Sequence, residues 1–390
     1  MESYAPYFYV EIGGTKLPKG ICDHVTSFEY EDDEGKMDML SLVVEDPDMK
    51  LIDDPLLQEN KEIRVRWGYI GNMSRTHVCT IKEIDYVFSD NRVPRITLKA
   101  LDKGHLLTGR AARTCYKNAT LAEVAEDIAK KHGLGTALEI PGDYKRERLA
   151  QGGKNDMTFL KTLAAEHGCK TRVENNVLYI EPMQYKAPKM KFSYGRGQDG
   201  YLLSMSIKSN AEADKGAALG TQVATVDPQT GKPIVETATA KGMDVLVNLM
   251  DGQVESETPP SRRDDEIGKI AQTAVGTTTE ALQAGKGAVA KAGAQAIKAT
   301  ATMVGIPALK AKDTIIIENI GTKFSGSWRI TKIRHSIRSG SGYTCDLDLT
   351  KGDVGSGKKG DKTQSDGQGK ASLAPGSDGT GASAVEVDLK

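Results

Sequence analysis

The sequence predicts a β-rich α+β protein: two similar β-barrel or sandwich blocks joined by a small α+β module, with an Ala/Gly-rich insertion in the second block and a disordered C-terminal tail. Three observations carry this. Residues 1–105 contain short runs rich in Val, Ile, Thr and aromatics, punctuated by Gly, Asn, Asp and Pro with no helical pattern between them. From 106 to 188 the apolar spacing switches twice to the helical period. Strand-like runs then resume over 189–350, interrupted between about 241 and 312. A chain of 390 residues accommodates two or three such units at roughly 150 residues each.

In the first block the strands are YFYVEIGG, ICDHVTSFEYED, MLSLVVED, EIRVRWGYI, HVCTIKEIDYVFS and RITLKALD. In the module, TLAEVAEDIAKKHGLG places Leu121, Val124, Ala125 and Ile128 at i, i+3, i+4 and i+7, with Thr120 and Glu123 spaced as a capping box and Gly133 as a stop. A second helix in NDMTFLKTLAAEHG is capped by Asn155 or Asp156 and presents Phe159, Leu160, Leu163 and Ala164. A short strand follows each helix, and CKTRVENNVLYIEP reads as a hairpin pivoting on Asn175 and Asn176. The second block offers KMKFSYG, YLLSMSIKSN, TQVATVDPQTGKPIVETA, DTIIIENIG, SWRITKIRHSIRS and YTCDLDLT. The Ala, Gly and Thr content of 241–312 predicts marginal helices that need a neighbour to pack on. Residues 351–390, Gly-rich, charge-balanced and without aromatics, predict a disordered tail.

Sliding the chain on itself by 249 positions aligns Ile81 with Ile330, Ile84 with Ile333, Phe88 with Ile337 and Leu98 with Leu347, all apolar. This echo suggests that the two β blocks are copies of one domain.

Lys and Arg total 52 against 53 Asp and Glu, so no global basic field exists to hold nucleic acid or an anionic membrane. The acids concentrate in 1–105, where 20 face 13 basic residues. No apolar run is long enough for a membrane span, and the first residues do not form a secretory leader; synthesis in the cytoplasm is expected. Five cysteines, Cys22, Cys79, Cys115, Cys169 and Cys345, fit free buried thiols better than a disulfide framework.

Catalytic motifs are absent: there is no GxSxG, HExxH or GxxxxGK[ST]. The acidic strings EYEDDEG and EDPDMKLIDD could supply a glycosidase's two carboxylates. They read more simply as solvated loops with no apolar surroundings to raise a pKa, and neither has EF-hand spacing. Cys22 and His24, with His77 and Cys79, form two C-x-H/H-x-C pairs that a zinc ion could join if neighbouring strands presented them together; the alternative is a half-buried polar and thiol mix. His335 lies among Arg329, Lys332, Arg334 and Arg338, either as an anion or partner contact or on an outer strand kept soluble by charge. His105, His132 and His167 read as structural. No catalytic, cofactor or metal residue is assigned.

KFSGSWRITKIRHSIRSGSGYTCDLDL resembles the closing hairpin of the phage late control protein D family, the tail hub of contractile phages and related injection machines. QGGKNDMTFLKTLAAEHGCKTRVENNVLYIEP, TLAEVAEDIAKKHGL and VATVDPQTGKPI resemble that family's helix and hairpin, the helix before it, and a strand with a D-P-x-T-G-K turn. The resemblance implies a non-enzymatic hub with two tube-type domains, 1–105 and 189–350, joined by a lysin-motif-like module at 106–188. Three subunits would form a pseudo-hexameric ring that mates a trimeric spike to a hexameric inner tube. The implied partners are two further copies, a separate spike protein, inner tube or tube initiator proteins and baseplate wedge proteins. A tape measure or cargo would occupy the lumen, DNA would be present only in transit, and no membrane insertion is expected. The implied location is a virion tail baseplate or an assembled injection particle. The alternative is a peptidoglycan-binding or cell-wall-degrading baseplate component.

Overall fold

A computed structural model describes residues 5–140, 143–167, 169–182, 187–194, 202–209 and 297–351 in full, and the backbone of 221–226, 233–238 and 268–271. The D-P-x-T-G-K turn at 227–232, most of the 241–312 insertion and the 352–390 tail lie outside the described residues.

The first block runs β1 (Pro6–Ile12), the short β2 (Thr15–Lys16), one helical turn α1 (Lys19–Cys22), β3 (Val25–Asp33), β4 (Met39–Glu45), β5 (Glu62–Tyr69), the short β6 (Asn72–Met73), β7 (His77–Val87) and β8 (Arg95–Leu101). Burial alternates along these strands: in β4 Leu40, Leu42 and Val44 are buried while their neighbours are half-exposed, the period-two pattern of a sheet with one apolar face. The pairing order is β3-β4-β8-β7-β5-β1-β2.

The module holds β9 (Cys115–Ala119), α2 (Leu121–Lys131), β10 (Gly135–Leu138), β11 (Arg146–Ala150), α3 (Asp156–Glu166), β12 (Cys169–Glu174) and β13 (Val177–Pro182). The capping box forms: Thr120 Oγ1 accepts from Glu123 N at 3.1 Å while the Glu123 carboxylate accepts from Thr120 N at 3.0 Å. Asn155 caps α3 by accepting from Thr158 N. The β12–β13 turn has φ of 48° at Asn175 and 66° at Asn176, as a two-residue hairpin loop requires. The antiparallel pair β9–β11 is not visible in the sequence pattern, because these five-residue strands carry mostly polar side chains. The two helices and these strands enclose their own apolar cluster.

The second block contains β14 (Met190–Ser193), β15 (Leu202–Ser209), β16 (Thr221–Val226), β17 (Pro233–Ala238), β18 (Gly268–Ala271), β19 (Ile297–Val304), β20 (Thr314–Glu318), β21 (Gly326–Arg338) and β22 (Gly342–Lys351). β16, β17 and β18 form a separate three-stranded sheet. The helical expectation for 241–312 fails at its C-terminal end: Ile297–Val304 is a strand, with Ile297, Ala299, Ala301 and Met303 buried in alternation. Helix propensity yields here because the period is two and the strand pairs with β15 on one edge and β22 on the other, burying one face of the small Ala side chains.

The two blocks contain the same five-strand unit. Chain order β3, β4, β5, β7, β8 becomes sheet order β5-β7-β8-β4-β3, and chain order β15, β19, β20, β21, β22 becomes β20-β21-β22-β19-β15. Even the irregularities repeat. β3 slips against β4 between Val25 and Ser27, as β15 slips against β19 between Leu202 and Ser204. The bulge in β7 between Ile81 and Glu83 reappears in β21 between Ile330 and Lys332, at the 249-residue spacing. The loops ahead of β5 and β20 carry left-handed Asn60 and Lys312, whose amides bond to Ile81 O and Ile330 O, respectively. The units join edge to edge, β3 pairing antiparallel with β21, and a single apolar core containing Phe28, Trp67, Trp328 and Ile330 runs through both.

Candidate functional site

The structure concentrates its unusual chemistry at the β3–β21 seam. In this register Arg334 faces Glu31, His335 faces Tyr30, Ile337 faces Phe28 and Lys332 faces Asp33. On the polar face β3 is acidic and β21 basic: Glu31 holds Lys332 at 2.7 Å and Arg334 at 3.4 Å, and Glu29 binds Arg338. Opposite charges across adjacent strands stabilise pairing and disfavour slippage.

The core face of the seam is an aromatic and histidine cluster. Trp67 lies 4.5 Å from Tyr30, 4.7 Å from His77 and 5.0 Å from His335 between ring centroids. Tyr30 donates to Asp38 at 2.8 Å and lies 2.9 Å from His77 Nδ1. His335 Nδ1 lies 2.7 Å from the Tyr343 hydroxyl and its Nε2 3.2 Å from Leu309 O. Burial pushes both His77 and His335 down to about 3, so both rings are neutral. His335 is therefore not a partner contact on a charged strand. It shares the inward parity of Ile333 and Ile337, while Lys332, Arg334 and Arg338 point the other way. Cys345 Sγ lies 3.2 Å from His335 Nδ1, but burial pushes the thiol up to about 12, the opposite of an activated nucleophile.

Cys22, His24, His77 and Cys79 do not meet. Cys22 closes α1 and donates to Leu17 O; His24 sits in the link to β3; His77 points into the seam and Cys79 into the core. Among the described residues no cluster of His, Cys, Asp or Glu could hold a metal. All five cysteines are free, but Cys115 is exposed and Cys22 half-buried, so the expectation of uniformly buried thiols fails for these two.

The acidic strings also depart from the solvated-loop reading. Glu34 in the first string and Asp46 in the second are buried, as is Asp38 just after the first, and the Asp46 carboxylate accepts from the amides of Lys50, Leu51 and Ile52. Burial holds Asp38 well above the usual carboxylate range and brings Asp102 up to about 7, partly opposed by the hydrogen bond from Gly104 N and reinforced by Asp32. An unfolded aspartate ionises near 3.9, so the stability Asp102 contributes is complete below that pH and is lost as pH rises through about 7. Asp102→Asn abolishes this dependence. Its thermal stability relative to the native chain is expected to rise by about 1–3 kcal/mol between pH 4 and pH 8; a pH-independent difference would show that Asp102 ionises normally.

The module is fastened across the seam by ion pairs centred on the buried Glu34 and Glu174 and the half-buried Glu181. Glu34 of the first unit binds Arg329 of the second and Lys170 of the module, the latter at 2.7 Å. Glu174 binds Arg75 and Arg172, while Glu181 binds Lys312 and accepts from Arg172 at 3.2 Å. Burial pushes Lys312 down to about 8, with Arg172 adding to the shift and Glu181 opposing it. Burial alone would raise Glu181, but Lys312 and Arg172 hold it down at about 2. These pairs lock three parts of the chain into one relative geometry.

The Alg8 N-terminal domain family (Alg8_N) matches residues 7–339. The chain belongs to that family. The Alg8_N match includes the first five-strand unit, the module and most of the second unit, stopping short of β22. No curated protein matches the chain. Among solved structures, it resembles the 43 kDa tail protein of prophage MuSo2 from Shewanella oneidensis, with 13% identity, 89% of this chain and 99% of that one covered, and a TM-score of 0.65. The tail protein of Neisseria meningitidis MC58 gives 13%, 89%, 97% and 0.63. The Escherichia coli protein c3393, described as a component of the type VI secretion system, gives 12%, 89%, 77% and 0.56. At these identities the Alg8_N chain shares the fold of phage tail proteins.

Proposed function

We propose that the protein is the structural baseplate hub of a contractile phage tail or a phage-tail-like injection machine, with a scaffolding rather than a catalytic role. The observation that carries this reading is the repeated five-strand unit, joined edge to edge within one chain that has a tail-protein fold. Three chains supply six such units, which resolves the mismatch between a threefold spike and a sixfold tube. The spike would be a separate protein; the other neighbours would be inner tube or tube initiator proteins and baseplate wedges.

The sheet's polar face suits a lumen lining, because Lys332, Arg334 and Lys99 are balanced there by Glu31, Asp346, Glu83 and Asp85. A tape measure, cargo or DNA in transit meets little net attraction on such a wall. We expect native mass spectrometry of the full chain to give three-chain particles, and electron-microscopic averages to show six lobes. A persistent monomer, a dimer, or a ring without six lobes would overturn the assignment. The competing role, peptidoglycan binding or cleavage by the 106–188 module, predicts co-sedimentation with purified sacculi; we expect the chain to remain in the supernatant.

A further inference from the structure

We propose that β15 of one copy adds to the edge of β7 in the next copy, antiparallel, with Phe88 opposite Met205, Tyr86 opposite Ile207 and Asp85 opposite Lys208. The proposal rests on the ring reading above and deepens it by naming the interface and its register. It follows from the duplication. Within one chain, the C-terminal half of β21 pairs with β3 of the other unit. The equivalent edge of β7, from Glu83 onward, and the outer edge of β15 from Ser204 onward have no strand partner among the described residues. Each chain thus contains one filled copy of this junction and both halves of a second, unfilled one.

Exposure supports the equivalence. His335, Ser336 and Ile337 of β21 are 1%, 4% and 7% exposed, whereas the equivalent Tyr86, Val87 and Phe88 are 42%, 48% and 57% exposed. Three adjacent large apolar side chains sit on an open sheet edge where the sister unit has a neighbour, a combination that invites strand addition. On the other half-junction, Phe28 and Tyr30 of β3 are buried, and their counterparts Met205 and Ile207 are only half-buried.

Charge selects the partner. In the filled junction the acid is on β3 and the base on β21, Glu31 facing Arg334. In the unfilled one the signs are exchanged: Asp85 is on β7, held by Lys99 at 2.6 Å, and the exposed Lys208 is on β15. An incoming β15 therefore meets opposite charge on β7, and an incoming β3 meets like charge. The reversal directs each edge to its own partner and closes the copies head to tail.

The test is disulfide trapping in the full chain with the exposed Cys115 replaced by Ser. Val87→Cys and Ser206→Cys fall opposite each other on the polar face, at a Cα separation a disulfide can span. Mild oxidation is expected to give covalent dimers and trimers on non-reducing gels. The single variants, and the slipped pair Val87→Cys with Ser204→Cys, should give at most about a tenth of that yield, because diagonal neighbours lie roughly 7–8 Å apart. Lys208→Glu should lower the trapped yield about threefold, and adding Asp85→Lys should restore it. Three-chain particles in native mass spectrometry without trapping at 87 and 206 would overturn this pairing and leave the ring reading intact. Monomers at every concentration would overturn both.

Discussion

Arg329→Met is expected to destabilise the chain by about 3–5 kcal/mol, because it leaves the Glu34 carboxylate buried with half of its counter-charge removed. Glu34 and Arg329 are both buried and bonded to each other, and only Lys170, at 2.7 Å, remains for Glu34 in the variant. Burial by itself would raise the pKa of Glu34; Arg329 and Lys170 together more than reverse this and leave it below its ordinary value. The stability from that pairing is present above the unfolded carboxylate's pKa and is lost as pH falls through the lower folded value. The deficit of Arg329→Met should accordingly shrink below about pH 4, where an unpaired carboxyl can take up a proton. The double variant Glu34→Gln, Arg329→Met should recover most of the loss. Equal losses in the single and double variants, measured by denaturant unfolding, would show that the pair does not bear on stability.

Gly305→Ala should cost about 3 kcal/mol or more, at the upper end of what overpacking does. A Cβ at this position would lie 2.2 Å from Tyr343 Cγ, far inside van der Waals contact. The ring cannot step aside, because its hydroxyl lies 2.7 Å from His335 Nδ1 and the Gly305 amide donates to Tyr343 O. A fall in melting temperature of about 5 °C is expected at this chain length. Gly340→Ala is the informative contrast: its Cβ would meet nothing within 4 Å, although φ is +82°. It should cost only about 1 kcal/mol, the penalty of a left-handed residue without a clash. Similar losses at both positions would indicate that backbone conformation, not the Tyr343 ring, limits position 305.

The local code of the chain is read directly from its residues. The capping box at Thr120 and Glu123 and the Asn175–Asn176 turn appear where the sequence places them, because a cap or a tight turn depends only on residues within a few positions. The 249-residue echo is also real: both bulges and the pairings around them repeat at that spacing. Four matched apolar positions could suggest a second copy but not how the copies meet, since strand pairing over several hundred residues leaves no local signature.

Misreadings arose where burial overrode composition. Ile297–Val304 has helix-favouring Ala yet is a strand between two others. Glu34 looks like a solvated loop acid and is buried, because its partner Arg329 arrives from the far end of the chain. His335 sits among basic residues in sequence, but the parity of Ile333 and Ile337 was the available signal that it points inward.

Short-range periodicity and steric preference specify the β-rich class, the two helices with their caps and the Asn175–Asn176 turn, and the 249-residue echo hints at a repeat. Long-range packing is what sets the repeats edge to edge, fixes β3 against β21 in a single register, and leaves one equivalent edge on β7 and another on β15 open among the described residues. Those outcomes depend on which distant strands bring complementary charge and apolar surface together, and no window of neighbouring residues contains that information.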